Sequence, residues 1–190
     1  MAAVFRLTFF ALLVSTIAAV PAPGSRIAHA HAAVADSLAQ FPRVDGTNLE
    51  GRHFLLPSDF EGSLNVVLIA FTREQQGDVD TWAPFLKSAL GSRPDLRSYE
   101  LPVLARRYRL MRPFIDGGMR RGIPEAAVRA ATITLYIDKS AFRDALRLPT
   151  ESRIHVLLVD REGRVHWRSD GVFTERAGAE LVRRIDAISS

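Results

Sequence analysis

The run NVVLIAF, residues 65–71, constrains the fold more than any other stretch of the chain. It is apolar and β-branched over the length of one strand and lacks the in/out alternation that a sheet with one wet face imposes. Both of its faces must therefore be covered. A central strand with parallel neighbours and helices above and below meets that demand. Directly after it, the polar turn TREQQGD (72–78) leads into a helical period. Val79, Trp82, Phe85, Leu86 and Leu90 recur at spacings of three and four until Gly91 and Pro94 stop the run. Asp78 or Asp80 is the expected N-cap, a carboxylate accepting a backbone N–H at the positive end of the helix.

The rest of the chain continues this alternation. Residues 31–52 are polar, punctuated by Pro42 and Gly46, and read as a flexible lead-in. Residues 53–62 hold a short edge strand whose pairing Pro57 limits. YELPVL (99–104) is a second strand. Residues 106–124, RRYRLMRPFIDGGMRRGIP, are helical in composition, but Pro113 and the Gly117, Gly118 pair predict two short pieces. TITLYID (132–138) is a strand by its β-branched content, and SAFRDALRL (140–148) a short helix with Ser140 as its N-cap. IHVLLVD (154–160), the turn REG and RVHWRSDG (164–171) make a β-hairpin, and residues 174–189 close the chain as a helix with Ala177, Leu181, Ile185 and Ile188 on one face. This order implies an α/β fold, a mixed β-sheet with helices on both faces.

A chain of 190 residues, 47% apolar and 24% charged, supports one domain with a sizeable core, here residues 53–190. The N-terminus has the three parts of an export signal: Arg6, an apolar run over residues 7–20, and the small-x-small site Ala28-His29-Ala30. Residues 1–30 are accordingly expected to be a signal peptide that sends the protein to the periplasm. The rivals are a mitochondrial presequence, since no acidic residue precedes Asp36, and an uncleaved signal that anchors the chain. The apolar run falls short of the roughly 20 residues of a membrane span, so no transmembrane helix is expected in the mature chain. Of the formal charge of +4, Arg6 and Arg26 belong to the signal; without them 23 basic residues face 21 acidic ones, a net +2. So small an excess gives no reason to expect nucleic acid as a partner. The chain has no cysteine, which excludes disulfides, thiolate nucleophiles and thiolate metal sites.

The run NVVLIAF leading into a helix, and IHVLLVDREGRVHWRSDG leading into the last helix, resemble the thioredoxin fold. The likeness is to its peroxiredoxin-like form, a three-layer sandwich with an extra strand and helix before the terminal hairpin, and it covers residues 50–188. The pair LPSDFEGSLNVVLIAFTREQ and LVDREGRVHWRSDGVFTERAGAEL further resembles the assembly factors of the mitochondrial ATP synthase membrane sector and their bacterial relatives. That resemblance implies a redox-inactive chaperone of a membrane protein subunit. Thioredoxin-like enzymes carry the attacking cysteine in the turn after the first core strand and a cis-proline before the strand facing it. The matching positions are the turn holding Thr72, Glu74, Gln75, Gln76 and Asp78, and the pair Arg153, Ile154. Neither part of the redox apparatus is present, so thiol oxidoreductase and peroxidase chemistry is set aside.

The alternative is an enzyme using carboxylates or histidines near that turn. Glu74, Asp78 and Asp80 could serve as general acid and base or hold a hard cation, but helix capping and solvation explain the same residues. His155 and His166 lie on the two hairpin strands; a tight turn pairs Ser169 with His155 and Leu158 with His166, placing the histidines on opposite faces and unable to share a metal. Ser169, His155 and Asp170 lack the setting of a nucleophile elbow. No cofactor motif occurs; DGGMRRG lacks the spacing of a phosphate loop. The segment 111–124 stands out instead. It sets Met111, Phe114, Ile115 and Met119 among Arg109, Arg112, Arg120 and Arg121, adaptable apolar contact beside fixed cations. It is the candidate surface for an apolar partner segment or an acidic lipid headgroup; the bland reading packs its apolar residues on the sheet.

Overall fold

A computed structural model describes residues 39–189. The signal-peptide expectation for residues 1–30 and the first part of the lead-in lie outside the described residues. The strands are β1 (Val44–Asn48), β2 (His53–Leu56), β3 (Leu64–Ala70), β4 (Leu96–Ala105), β5 (Ile133–Ile137), β6 (His155–Asp160) and β7 (Val165–Asp170). The helices are α1 (Gln76–Asp80), α2 (Ala83–Leu90), α3 (Arg112–Gly122), α4 (Ala126–Ala131), α5 (Lys139–Leu146) and α6 (Glu175–Ser189). The strands form one seven-stranded mixed sheet in the order β2-β1-β5-β4-β3-β6-β7. β3 runs parallel to β4 and antiparallel to β6, and β4 is parallel to β5.

Every residue of β3 is buried, as its unbroken apolar run requires. Alternate side chains feed two cores. Val67, Ile69 and Phe71 join Leu101, Leu135 and Leu157 beneath α5, where Phe142 and Leu146 cover the sheet. Leu64, Val66 and Leu68 join Val156 and Leu158 on the other face, under Val79, Trp82 and Leu86 and under Ala177, Leu181 and Ile185 of α6. The expected layers, helices on both faces of a mixed sheet, are those observed. The strand read at residues 53–62 is β2, on the sheet edge.

Four local readings are corrected. The supposed flexible lead-in contains β1, which pairs antiparallel with both β2 and β5. The expected single helix from Val79 to Leu90 is two, because Pro84 has no N–H to donate back to residue 80; α1 stops at Asp80 and α2 restarts with the proline in its first turn. Residues 106–122 are two pieces, as expected, but the break is not at the glycine pair: a 3₁₀ turn (Arg106–Met111) is followed by one helix, with Pro113 in its first turn, where no N–H is needed. Asp138, not Ser140, caps α5 by accepting the Ala141 N–H at 3.1 Å.

A strap enters this frame from residues 39–43. The Phe41 N–H donates to Gly163 O at 2.7 Å, Val165 N–H donates to Ala39 O at 3.1 Å, and the Phe41 ring meets Phe60 and Phe142 edge-on. Gly163, at φ 86°, turns left-handed there, and a Cβ on it would lie 2.8 Å from Gln40 Nε2 and 2.9 Å from Pro57 Cγ.

Candidate functional site

The turn after β3, where the resemblance places reactive thiols, is closed by Gln75. Its side chain is only 6% exposed. Oε1 accepts the Phe71 N–H at 2.7 Å and the Thr72 N–H at 3.4 Å, while Nε2 donates to Glu151 O at 2.7 Å. Residue 151 lies in the loop before β6, the loop in which the resemblance expects a cis-proline. One amide thus ties together the two segments that a thiol and a proline would otherwise occupy. The position matching that proline, Ile154, is wholly buried in the apolar core.

The neighbouring polar residues are held locally. Glu74 is exposed, and its own backbone N–H and the Thr72 hydroxyl lower its carboxyl pKa. Gln76 Nε2 donates to Asp80 Oδ1 at 3.0 Å, and Asp78 offers its carbonyl to the Thr81 hydroxyl at 2.6 Å. Neither Asp78 nor Asp80 is the N-cap that sequence patterning suggested; the chain enters its helical turn through Thr72, ahead of both. A carboxyl not singled out by the sequence, Glu100 of β4, has its pKa raised by burial, with Gln76 lowering it and Asp80 raising it further. Lys139 reaches the same end of the sheet, pairing with Glu151 at 2.5 Å and lying over the Phe71 ring.

The hairpin register differs by one from that of a simple tight turn. A bulge between Leu158 and Val159 sets Leu158 opposite Trp167 and His155 opposite Asp170, where Leu158 with His166 and His155 with Ser169 were expected. The histidines still have separate partners. His155 Nε2–H donates to Thr150 O at 2.8 Å, and His166 Nε2 meets Asp160 Oδ2 at 2.9 Å. Burial lowers the His155 pKa, and the Thr150 carbonyl acts against that. Asp170 pairs with Arg153 instead of His155, so Ser169, His155 and Asp170 make no relay. Among the described residues, no three His, Asp or Glu side chains converge as metal ligands would.

The segment 106–122 has no buried residue. Leu110 is 94% exposed, Phe114 73% and Met111 51%, so these three do not pack on the sheet as the bland reading has it. Ile115 and Met119 are half-buried. Of the arginines, Arg120 Nε donates to Leu49 O at 2.6 Å, and Arg112 Nε pairs with Asp116 at 3.1 Å. Asp116 is fixed in turn by the Tyr136 hydroxyl at 2.8 Å and the Thr134 hydroxyl at 3.2 Å, which anchors α3 to β5 despite its two glycines. Arg109 and Arg121 are exposed.

No protein-family model matches the chain, and no curated protein matches it. Solved structures do. BsSco, of the Sco family of cytochrome c oxidase assembly proteins, is 12% identical with a TM-score of 0.57, over 78% of this chain and 92% of its own. A SCO1/SenC family lipoprotein from Bacillus anthracis str. Ames is 15% identical with a TM-score of 0.56, over 80% and 97%. The exposed lipoprotein thioredoxin of Streptococcus pneumoniae strain TIGR4 is 10% identical with a TM-score of 0.52, over 75% and 98%. At these identities the likeness is one of fold: the domain is thioredoxin-like. The likeness to ATP synthase assembly factors rests on the sequence stretches 56–75 and 158–181 and on none of these structures.

Proposed function

We propose that this cysteine-free thioredoxin-like domain is an exported binding protein, a chaperone or assembly factor that holds an apolar segment of a membrane protein subunit. The observation that carries the reading is the exposure of Leu110, Met111 and Phe114 on a segment that also presents Arg109, Arg112, Arg120 and Arg121. Exposed large apolar residues grouped on one short element mark interaction surfaces, and arginine beside them supplies directional contacts at the rim. The replacement of the thiol turn by the Gln75 clip agrees with a role in binding, without thiol exchange. The hairpin resemblance to ATP synthase assembly factors and the assembly role in the name of the BsSco family point the same way. A carboxylate enzyme at the turn has less support, since Glu74 and Asp80 are engaged within their own helical turns.

The test is capture from detergent-solubilised membranes by the full chain. A membrane subunit should be retained stoichiometrically by the wild type and lost with Leu110→Ser/Phe114→Ser. Both sites are so exposed that the variant should keep its stability within about 0.5 kcal/mol. Unchanged capture by that variant, and by one with Arg109, Arg112, Arg120 and Arg121 neutralised, would refute the assignment of the surface. Loss of function on changing Glu74 or Asp78 with stability intact would favour the enzyme.

A further inference from the structure

On the sheet side of the same segment lies a cleft of about 600 Å³. Its walls are the chain around β1, the carboxyl end of β5, the start of α5 and the 3₁₀ turn, and Arg43, Arg106, Arg109 and Arg112 all line it. Two carboxylates, Asp45 and Asp138, line the cleft with these four guanidinium groups, a third, Asp116, pairs with Arg112 behind the wall, and all three are engaged. Asp138 accepts from the Ser140 hydroxyl at 2.7 Å and from Ala141 N–H at 3.1 Å, bonds that lower its pKa. Asp45 meets His53 Nε2 at 3.2 Å. The Thr134 and Tyr136 hydroxyls in the wall already donate to Asp116. Arg112 spends its Nε on Asp116, but its Nη2 is buried and meets no acceptor among the described residues. The cleft therefore holds one anchored guanidinium with a buried, unmatched donor, and three exposed ones, of which Arg106 also faces Asp138. A ligand bearing several anionic oxygens supplies what it lacks, and planar guanidinium forks match phosphate oxygens best.

The 3₁₀ turn has two characters at once. Arg106 and Arg109 line the cleft, whereas Leu110 and Met111, next along the chain, stand in solvent with Phe114 one turn on. A molecule that joins a phosphate to long apolar chains satisfies both.

We propose that the cleft is a phosphate site that takes the headgroup of an anionic phospholipid, with Leu110, Met111 and Phe114 entering the acyl-chain boundary of the bilayer. This deepens the binding reading above, and rests on it only in that segment 106–122 is the working surface: the protein meets its client at the membrane. Each basic side chain at an anionic membrane surface is worth about 1 kcal/mol, or about five-fold in partitioning. Removing Arg43 and Arg106 should thus weaken binding by about 25-fold.

The experiment is co-sedimentation of the full chain with vesicles of phosphatidylcholine alone and of phosphatidylcholine mixed equally with phosphatidylglycerol. The wild type should prefer the anionic vesicles by at least about ten-fold, and that preference should shrink with added salt. Arg43→Gln/Arg106→Gln should lose about 25-fold on anionic vesicles, with unchanged tryptophan fluorescence reporting an intact fold. The apolar and basic residues at the N-terminus are common to wild type and variant, so the comparison cancels them. Equal binding to both vesicles, or an unchanged double variant, overturns the proposal. Saturable binding of inorganic phosphate without any vesicle preference also overturns it and assigns a soluble phosphate ligand. Subunit capture depends on Leu110 and Phe114, so its survival alongside failed vesicle binding would reject the lipid site and leave the client reading standing.

Discussion

Gln75→Ala tests whether the amide closes the former thiol turn. The substitution removes the acceptor of the buried Phe71 N–H, bonded at 2.7 Å, and the donor to Glu151 O, also at 2.7 Å. The Phe71 amide lies past the last β3 residue and finds no other acceptor in the turn, so leaving it unpaired costs about 1–3 kcal/mol. The bond to the Glu151 carbonyl is part-buried, on a residue of intermediate exposure, so it contributes about 0.5–1.5 kcal/mol. The Thr72 bond, long at 3.4 Å and on an exposed residue, adds little. A loss of about 2–4 kcal/mol is expected, a large share of the roughly 5–15 kcal/mol that holds a domain together. Urea unfolding followed by the fluorescence of Trp82 and Trp167 measures it as a fall in midpoint at constant slope. Gln75→Glu sharpens the test. It keeps an acceptor for Phe71 but turns a second oxygen toward the Glu151 carbonyl, which raises the folded-state pKa of the new carboxyl. Its stability, relative to wild type, should be present below the unfolded value of about 4.3 and lost as the pH rises through the raised folded value. A Gln75→Ala protein within about 0.5 kcal/mol of wild type would show that the clip is incidental.

Two further outcomes follow from packing and burial. Gly178 of α6 lies against Phe173 and Phe85, where a Cβ would sit 2.8 Å and 2.9 Å from ring carbons; Gly178→Ala should cost about 1–3 kcal/mol, read as a lower melting temperature, and an unshifted melt would mean that the rings yield freely. Because burial holds the His155 pKa below its ordinary value, the unfolded chain binds the proton first; stability should decline as the pH falls below about 6.5, and His155→Gln, which can still donate to Thr150 O, should flatten that decline. Equal pH slopes for wild type and variant would contradict this account.

The sequence was legible where burial is two-sided or alternation strict. Residues 65–71 read correctly as a central strand and 154–160 as the first strand of the hairpin, because an unbroken apolar run fills the middle of each. β1 was not legible. VDGTN reads as part of a flexible lead-in, yet Gly46 stands in a strand, where a Cβ would lie 2.5 Å from Ile133 Cγ2 and 2.8 Å from Leu135 Cδ2. That requirement is set by residues nearly ninety positions away and leaves no local periodicity. The hairpin was visible but its bulge was not, since a one-residue shift changes no composition. At the candidate site, the grouping of Met111, Phe114 and arginine was plain, but their exposure, the contribution of Arg43 to the cleft and the role of Gln75 depend on what lies across the fold. A glutamine five positions past a strand end carries no signal that its amide will find a carbonyl at residue 151.

The strap at residues 39–43 determines how the domain bears load. A pull on the chain before Ala39 is taken up first by the Phe41–Gly163 and Val165–Ala39 backbone bonds and by the Phe41 ring wedged between Phe60 and Phe142. Tension then passes directly into the β6–β7 hairpin and by-passes the edge ribbon of β1 and β2. A tether at the amino end would hold the domain at its β6–β7 hairpin, on the opposite side of the sheet from β1 and β2, and the pull would reach the arginine-lined cleft only through Phe142 and the strap's own Pro42 and Arg43.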